Sequence, residues 1–139
     1  MYTLKTNASF DSAHFLAGYE GKCSNIHGHQ WKIEVEVASA ALEESGNTRG
    51  MIVDFSKLKE DLKAIADDLD HCLIVEKNSL RQKTMEALLE EDFRVVEVAF
   101  RPTAENFAKY IYDKMKAKKY TVLKAVVYET PTNCAAYME

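Results

Sequence analysis

Residues 30–38, QWKIEVEVA, alternate strictly, with Trp31, Ile33, Val35 and Val37 on one phase and Lys32, Glu34 and Glu36 on the other. A period of two residues defines a β-strand with one dry face and one wet face. A one-residue slip would turn every apolar side chain toward water, so the register is strongly specified. Residues 2–15 repeat the pattern, with Leu4, Ala8, Phe10, Ser12 and His14 on one face and Lys5, Asn7, Ser9 and Asp11 on the other. Two half-dry strands need a second layer to cover them.

The chain supplies that layer further on. After Asp54 the apolar period becomes helical, through Phe55, Leu58, Leu62, Ile65, Ala66 and Leu69, with Asp54 or Ser56 as N-cap. PTAENFAKYIYDKMKAK predicts a second main helix, capped by Thr103 and carrying Phe107, Ala108, Ile111 and Met115 on its apolar stripe. Between them, KTMEALLEEDF predicts a short helix and RVVEVAF a short strand. TVLKAVVYET returns to strand, and CAAYME closes with another short one. EESGNTRGM reads as a turn that would bring MIVDF back in a hairpin-type pairing. The expected order is β-β-α-(insert)-α-β. Strands and helices cluster without regular βαβ alternation, which predicts an α+β domain: an antiparallel sheet with helices on one face.

With 139 residues and no internal repeat or linker-like stretch, residues 1–139 are expected to form one domain. A net charge of -4 argues against non-specific nucleic-acid binding and leaves room for a small anionic substrate held by local cations. There is no apolar run of membrane-spanning length and no signal-peptide core in MYTLKTNASF. Three sparse cysteines, Cys23, Cys72 and Cys134, then read as reduced thiols, and the expected compartment is the cytoplasm.

The chemistry concentrates in CSNIHGHQW. His27 and His29 are two apart, so in a strand they point to one side, in phase with Trp31 and Ile33. They are either metal ligands or strand-end imidazoles that hydrogen-bond to backbone or water. His14 lies on the dry phase of the first strand; if the two strands are neighbours, it makes a third imidazole, the ligand set of an open catalytic zinc site. Considered alone, His14 is better read as a satisfied core histidine. Cys23, four residues before His27, has three readings: a fourth ligand, a thiolate beside a metal, or an inert thiol. Asp70 and His71 either place a cation at a helix C-terminus or form a carboxylate-oriented acid/base pair. Cys72 beside them reads as packing. Glu129 shares phase with Leu123, Ala125 and Val127; it either reaches solvent at a strand end or offers its carboxylate to a ligand with two N–H donors.

Taken in order, FDSAHFL, CSNIHGH, MIVDF, LDH, RPTAEN and YET resemble the 6-pyruvoyltetrahydropterin synthase and 6-carboxytetrahydropterin synthase family over nearly the whole chain. The resemblance implies a tunnelling fold, a four-stranded antiparallel sheet with two main helices on one face. It implies that three subunits close a barrel and two trimers stack into a hexamer, with active sites between subunits. It assigns zinc (Zn2+) to His14, His27 and His29, and acid/base chemistry to Cys23 and the Asp70–His71 pair, the pair coming from a neighbouring subunit. It assigns the pterin ring edge to Glu129, with help around Thr103 and Glu105, and implies 7,8-dihydroneopterin triphosphate as substrate.

Three residues separate Cys23 from His27. In the family this short gap resembles the bacterial branch, which makes 6-carboxy-5,6,7,8-tetrahydropterin, acetaldehyde and triphosphate on the route to queuosine. The branch that eliminates triphosphate to give 6-pyruvoyltetrahydropterin has a longer gap, and a folate branch carries glutamate in place of the cysteine. The stretch from Cys72 to Phe100 is longer than in compact members and lacks an asparagine often found shortly after the histidine of LDH. Lys22 and Arg101 are candidates for holding the triphosphate. Two other readings stand beside this one: a tunnelling-fold enzyme with another pterin or purine substrate, and a non-enzymatic zinc or pterin-binding protein.

Overall fold

The computed structural model describes residues 1–139. Strand β1 (Tyr2–His14) and strand β2 (His27–Ser39) pair antiparallel over their whole lengths. A loop holding one 3-10 turn (Lys22–Ser24) joins them. Helix α1 (Phe55–Asp68), strand β3 (Cys72–Glu76), helix α2 (Gln82–Glu90), strand β4 (Val95–Val98), helix α3 (Ala104–Ala117), and strands β5 (Val122–Thr130) and β6 (Asn133–Tyr137) follow. The sheet has six strands in the order β4-β3-β1-β2-β5-β6.

The alternation read in β1 and β2 holds residue by residue. Phe10 opposes Trp31, Ser12 opposes His29, and His14 opposes His27. Trp31, Ile33 and Val35 are completely buried, and Val37 nearly so. Leu58, Leu62, Ile65 and Ala66 of α1 join the same hydrophobic cluster, as do Phe107, Ala108, Ile111 and Met115 of α3. Phe55, expected on the α1 stripe, is exposed because it is the first helical residue and precedes the packed turns. Both caps form as the sequence indicates: Asp54 accepts from the Ser56 N–H at 2.7 Å, and Thr103 from the Asn106 N–H at 3.3 Å.

The expected four-stranded antiparallel sheet is corrected to a six-stranded mixed one. Strands β1, β2, β5 and β6 are antiparallel neighbours, but β3 joins the end of β1 in parallel and β4 joins β3 in parallel. CLIVE, read only as part of an insert, is the strand that makes this extension. A parallel pair needs a crossover connection, and α2 provides it between β3 and β4. The chain thus has three helices; α2 buries none of its residues, while α1 and α3 cover the core. The pairing expected for MIVDF does not form, because β1 and β5 already occupy both edges of β2. Met51 instead closes a local loop, accepting from the Glu43 N–H at 3.0 Å. No helix is long and apolar enough to cross a membrane.

Candidate metal centre and active site

His14, His27 and His29 come together at the lower end of the β1–β2 ladder, with one ring nitrogen from each within 4.8 Å of the others. His14 is buried, and His27 and His29 are half-buried. Trp31, completely buried, forms the floor, its ring centroid 4.9 Å from His14 and 5.2 Å from His29.

Backbone carbonyls set the orientation of two rings. His14 Nδ1 lies 2.8 Å from the Pro102 carbonyl, and His27 Nδ1 lies 2.7 Å from the Asn25 carbonyl. A carbonyl only accepts, so both Nδ1 atoms carry the proton and both Nε2 atoms present a lone pair. Those two Nε2 atoms face each other at 3.1 Å. His29 Nε2 is buried without a hydrogen-bond partner; the nearest carboxylate oxygen, Glu129 Oε1, stands 3.4 Å away without hydrogen-bond alignment. Two facing lone pairs with no proton between them, beside the unpartnered Nε2 of His29, fit a bound cation. Burial pushes the His14 and His29 imidazoles below their ordinary pKa, against the pull of the Pro102 carbonyl on His14 and of Glu129 on His29. Neutral imidazole is the form that ligates a metal.

Cys23 sits in the 3-10 turn before β2, half-buried, and outside this compact group of ligand atoms. Glu129, near the end of β5, is half-exposed and reaches the edge of the cluster through His29. Thr103 is committed to capping α3, and Glu105 stands exposed on the first turn of that helix. Pro102, next to Thr103, is the residue whose carbonyl orients His14, so the N-terminus of α3 is tied to the cluster. Arg101 donates from Nη2 to the Ala17 carbonyl at 2.9 Å and lies over the Tyr19 ring, which commits much of its guanidinium to the β1–β2 loop. Lys22 lies exposed in the same turn as Cys23.

Asp70 and His71 form a second, separate cluster. His71 Nδ1 is 2.9 Å from Asp70 Oδ2, and the Asp11 backbone N–H donates to Asp70 Oδ1 at 2.8 Å. The Asp11 N–H, and then His71, hold the Asp70 carboxyl below its ordinary pKa. The Asp11 carboxylate joins this group within 4.8 Å, and strand alternation turns it to the opposite side of β1 from Ser12 and His14. His71 is largely exposed and has a φ of 51°. A cavity of about 700 Å³ opens beside it, lined by residues that include Asp11, Gly28, His29, His71 and Arg94. A Cβ on Gly28 would come no closer than 3.4 Å to the Ser12 carbonyl oxygen, so this glycine is not required by a tight backbone approach.

The sequence did not point to Asp11, Asn25, Pro102 or Arg94. The first three act through backbone atoms, and the only sequence signal was the position of Pro102 beside the predicted cap, Thr103.

A family model described as 6-pyruvoyl tetrahydropterin synthase matches residues 3–139. A Haemophilus influenzae protein named 6-carboxy-5,6,7,8-tetrahydropterin synthase is 37% identical over 142 residues, covering 100% of both chains. A Synechocystis protein of the same name is also 37% identical, over 99% of this chain and 93% of its own. Among solved structures, an uncharacterized protein from Wolinella succinogenes superposes with a TM-score of 0.80 at 20% identity, covering 99% of this chain and 98% of that one. The Caenorhabditis elegans 6-pyruvoyl tetrahydropterin synthase gives a TM-score of 0.67 at 25% identity, over 99% of this chain and 95% of that one.

Proposed function

The chain belongs to the 6-pyruvoyl tetrahydropterin synthase family, and from that membership we propose that it is a 6-carboxy-5,6,7,8-tetrahydropterin synthase. Its substrate is 7,8-dihydroneopterin triphosphate, its products are 6-carboxy-5,6,7,8-tetrahydropterin, acetaldehyde and triphosphate, and its pathway is that of queuosine. Relatives carrying this name cover the whole chain, and the three-residue gap between Cys23 and His27 supports the same product.

The observation that carries the chemistry is the convergence of three imidazoles, with the Nε2 atoms of His14 and His27 fixed as acceptors by the Pro102 and Asn25 carbonyls. His14, His27 and His29 are the residues that would hold zinc. When bound, zinc supplies Lewis acidity toward the hydroxyl groups of the substrate side chain, making them and their attached C–H bonds easier to deprotonate. The Glu129 carboxylate accepts two N–H bonds from the pyrimidine edge of the pterin, beside the α3 N-terminus at Thr103 and Glu105. That grip sets the side chain at C6 over the imidazoles. Cys23 exchanges a proton as thiol and thiolate. Asp70 accepts from His71 Nδ1, which leaves Nε2 free to take and return a proton.

The imidazole cluster and the Asp70–His71 pair do not merge into one group within a chain. This separation supports a site shared between copies, with the pair acting on the metal centre of a neighbour. Trimers closing a barrel and stacking into a hexamer supply such a neighbour. Residues 1–139 act as one domain in this assembly.

Mass analysis of the pterin formed from 7,8-dihydroneopterin triphosphate tests the proposal. It predicts the 6-carboxy product; a 6-pyruvoyl product would place the chain with the triphosphate-eliminating enzymes instead, and no turnover would favour a binding protein.

A further inference from the structure

The stretch from Cys72 to Phe100 carries one side chain that reaches back to the candidate acid/base pair. Arg94 immediately precedes β4, and its own carbonyl accepts from the Leu73 N–H at 3.0 Å. Its guanidinium turns toward the end of α1. Nη2 donates to the Asp68 carbonyl at 2.9 Å, Nη1 donates to the Asp70 carbonyl, and both stand 3.4 Å from the Asp67 carbonyl. The last carbonyls of a helix have no partner within it, and a planar fork of five donors suits them well. The carbonyls Arg94 collects are those just before His71.

His71 is where this matters. Its φ of 51° is a left-handed conformation that a residue with a Cβ rarely adopts. Two contacts hold the Asp70–His71 peptide plane just before the His71 Cα: Arg94 donates to its carbonyl, and its N–H donates to the Asp11 carbonyl at 2.6 Å. Together they determine the backbone from which His71 Nδ1 meets Asp70 Oδ2. We propose that Arg94 is a positioning residue for the Asp70–His71 pair, a guanidinium clamp through which the β3–α2–β4 extension holds His71 in its working geometry. The inference rests on the reading that this pair moves a proton during turnover.

The test uses the full-length, metal-loaded protein and three substitutions, Arg94→Lys, Arg94→Gln and Arg94→Ala. The readouts are kcat, KM and the His71 ring tautomer by NMR. In the unaltered protein the tautomer has its proton on Nδ1. Arg94→Gln and Arg94→Ala should lower kcat at least tenfold, move KM less than twofold and shift the His71 proton toward Nε2. Arg94→Lys, which keeps one cation but not the fork, should fall between. If Arg94→Ala does not fold, Arg94→Gln and Arg94→Lys decide. An unchanged tautomer or an unchanged kcat in folded Arg94→Gln overturns the proposal, and so does a loss of thermal stability alone. Asp70→Asn and His71→Ala separate the two layers. If both are fully active, the reading of the pair fails; if both are inactive while folded Arg94→Gln is normal, only the clamp fails.

Discussion

The Nε2 atoms of His14 and His27 face each other at 3.1 Å, each on a ring whose Nδ1 proton is already given to a carbonyl. Two lone pairs held this close repel unless a cation stands between or beside them. Substituting one ligand removes that cation site. His27→Ala and His14→Ala protein should purify with little zinc and no turnover, read by elemental analysis and product assay on the same sample. A zinc-free variant with full activity would remove the metal from the account.

Cys23 stands outside the ligand group, which separates its role from metal binding. Cys23→Ala should keep its zinc and fold normally while product formation falls by roughly 10²–10⁴-fold, the range for loss of an acid/base group. Loss of zinc in that variant would instead place the thiol in the coordination shell.

With the Asp70–His71 pair acting on a neighbour's imidazoles, as proposed, two defective chains should complement each other. His27→Ala and His71→Ala proteins, each inactive alone, should regain activity when unfolded together and reassembled. No recovery in mixed oligomers of normal size would argue that each chain works with its own pair.

Asp61 of α1 gives the fold an acid-sensitive joint. Its carboxylate is nearly buried and accepts from Tyr120 Oη at 2.6 Å and Lys57 Nζ at 2.8 Å. Burial opposes its ionisation, but the Lys57 and Tyr120 donors outweigh burial and leave its pKa lowered from 3.8. A carboxylate with a lowered folded-state pKa contributes stability above about pH 4, and that contribution is lost as pH falls through the folded value. Asp61→Asn should cost about 1–3 kcal/mol at neutral pH, judged by denaturant unfolding, from the weakened buried hydrogen bonds. The difference between the two proteins should shrink below pH 4; a constant difference down to pH 2 would contradict the linkage.

Strand phase made most of the candidate site legible. His14, His27 and His29 lie on the same parity as Phe10, Trp31 and Ile33 in their strands, and the register brings those phases face to face. Asp54 and Thr103 were readable as caps because their short side chains precede apolar helical stripes. CLIVE was not readable as β3: five residues bearing one terminal charge show no alternation, and parallel pairing with β1 is a tertiary choice. The orienting groups of the site were hidden for a different reason. Asn25 and Pro102 act through carbonyls, Asp11 chiefly through its N–H and C=O, and Arg94 through donors to three carbonyls, none of which residue type records.

The central claim is the conversion of 7,8-dihydroneopterin triphosphate to the 6-carboxy product, and its most direct test is the ratio of acetaldehyde to triphosphate released by the zinc-loaded protein. The account predicts one acetaldehyde for each triphosphate, with both lost together in His27→Ala. Triphosphate released without acetaldehyde would contradict it.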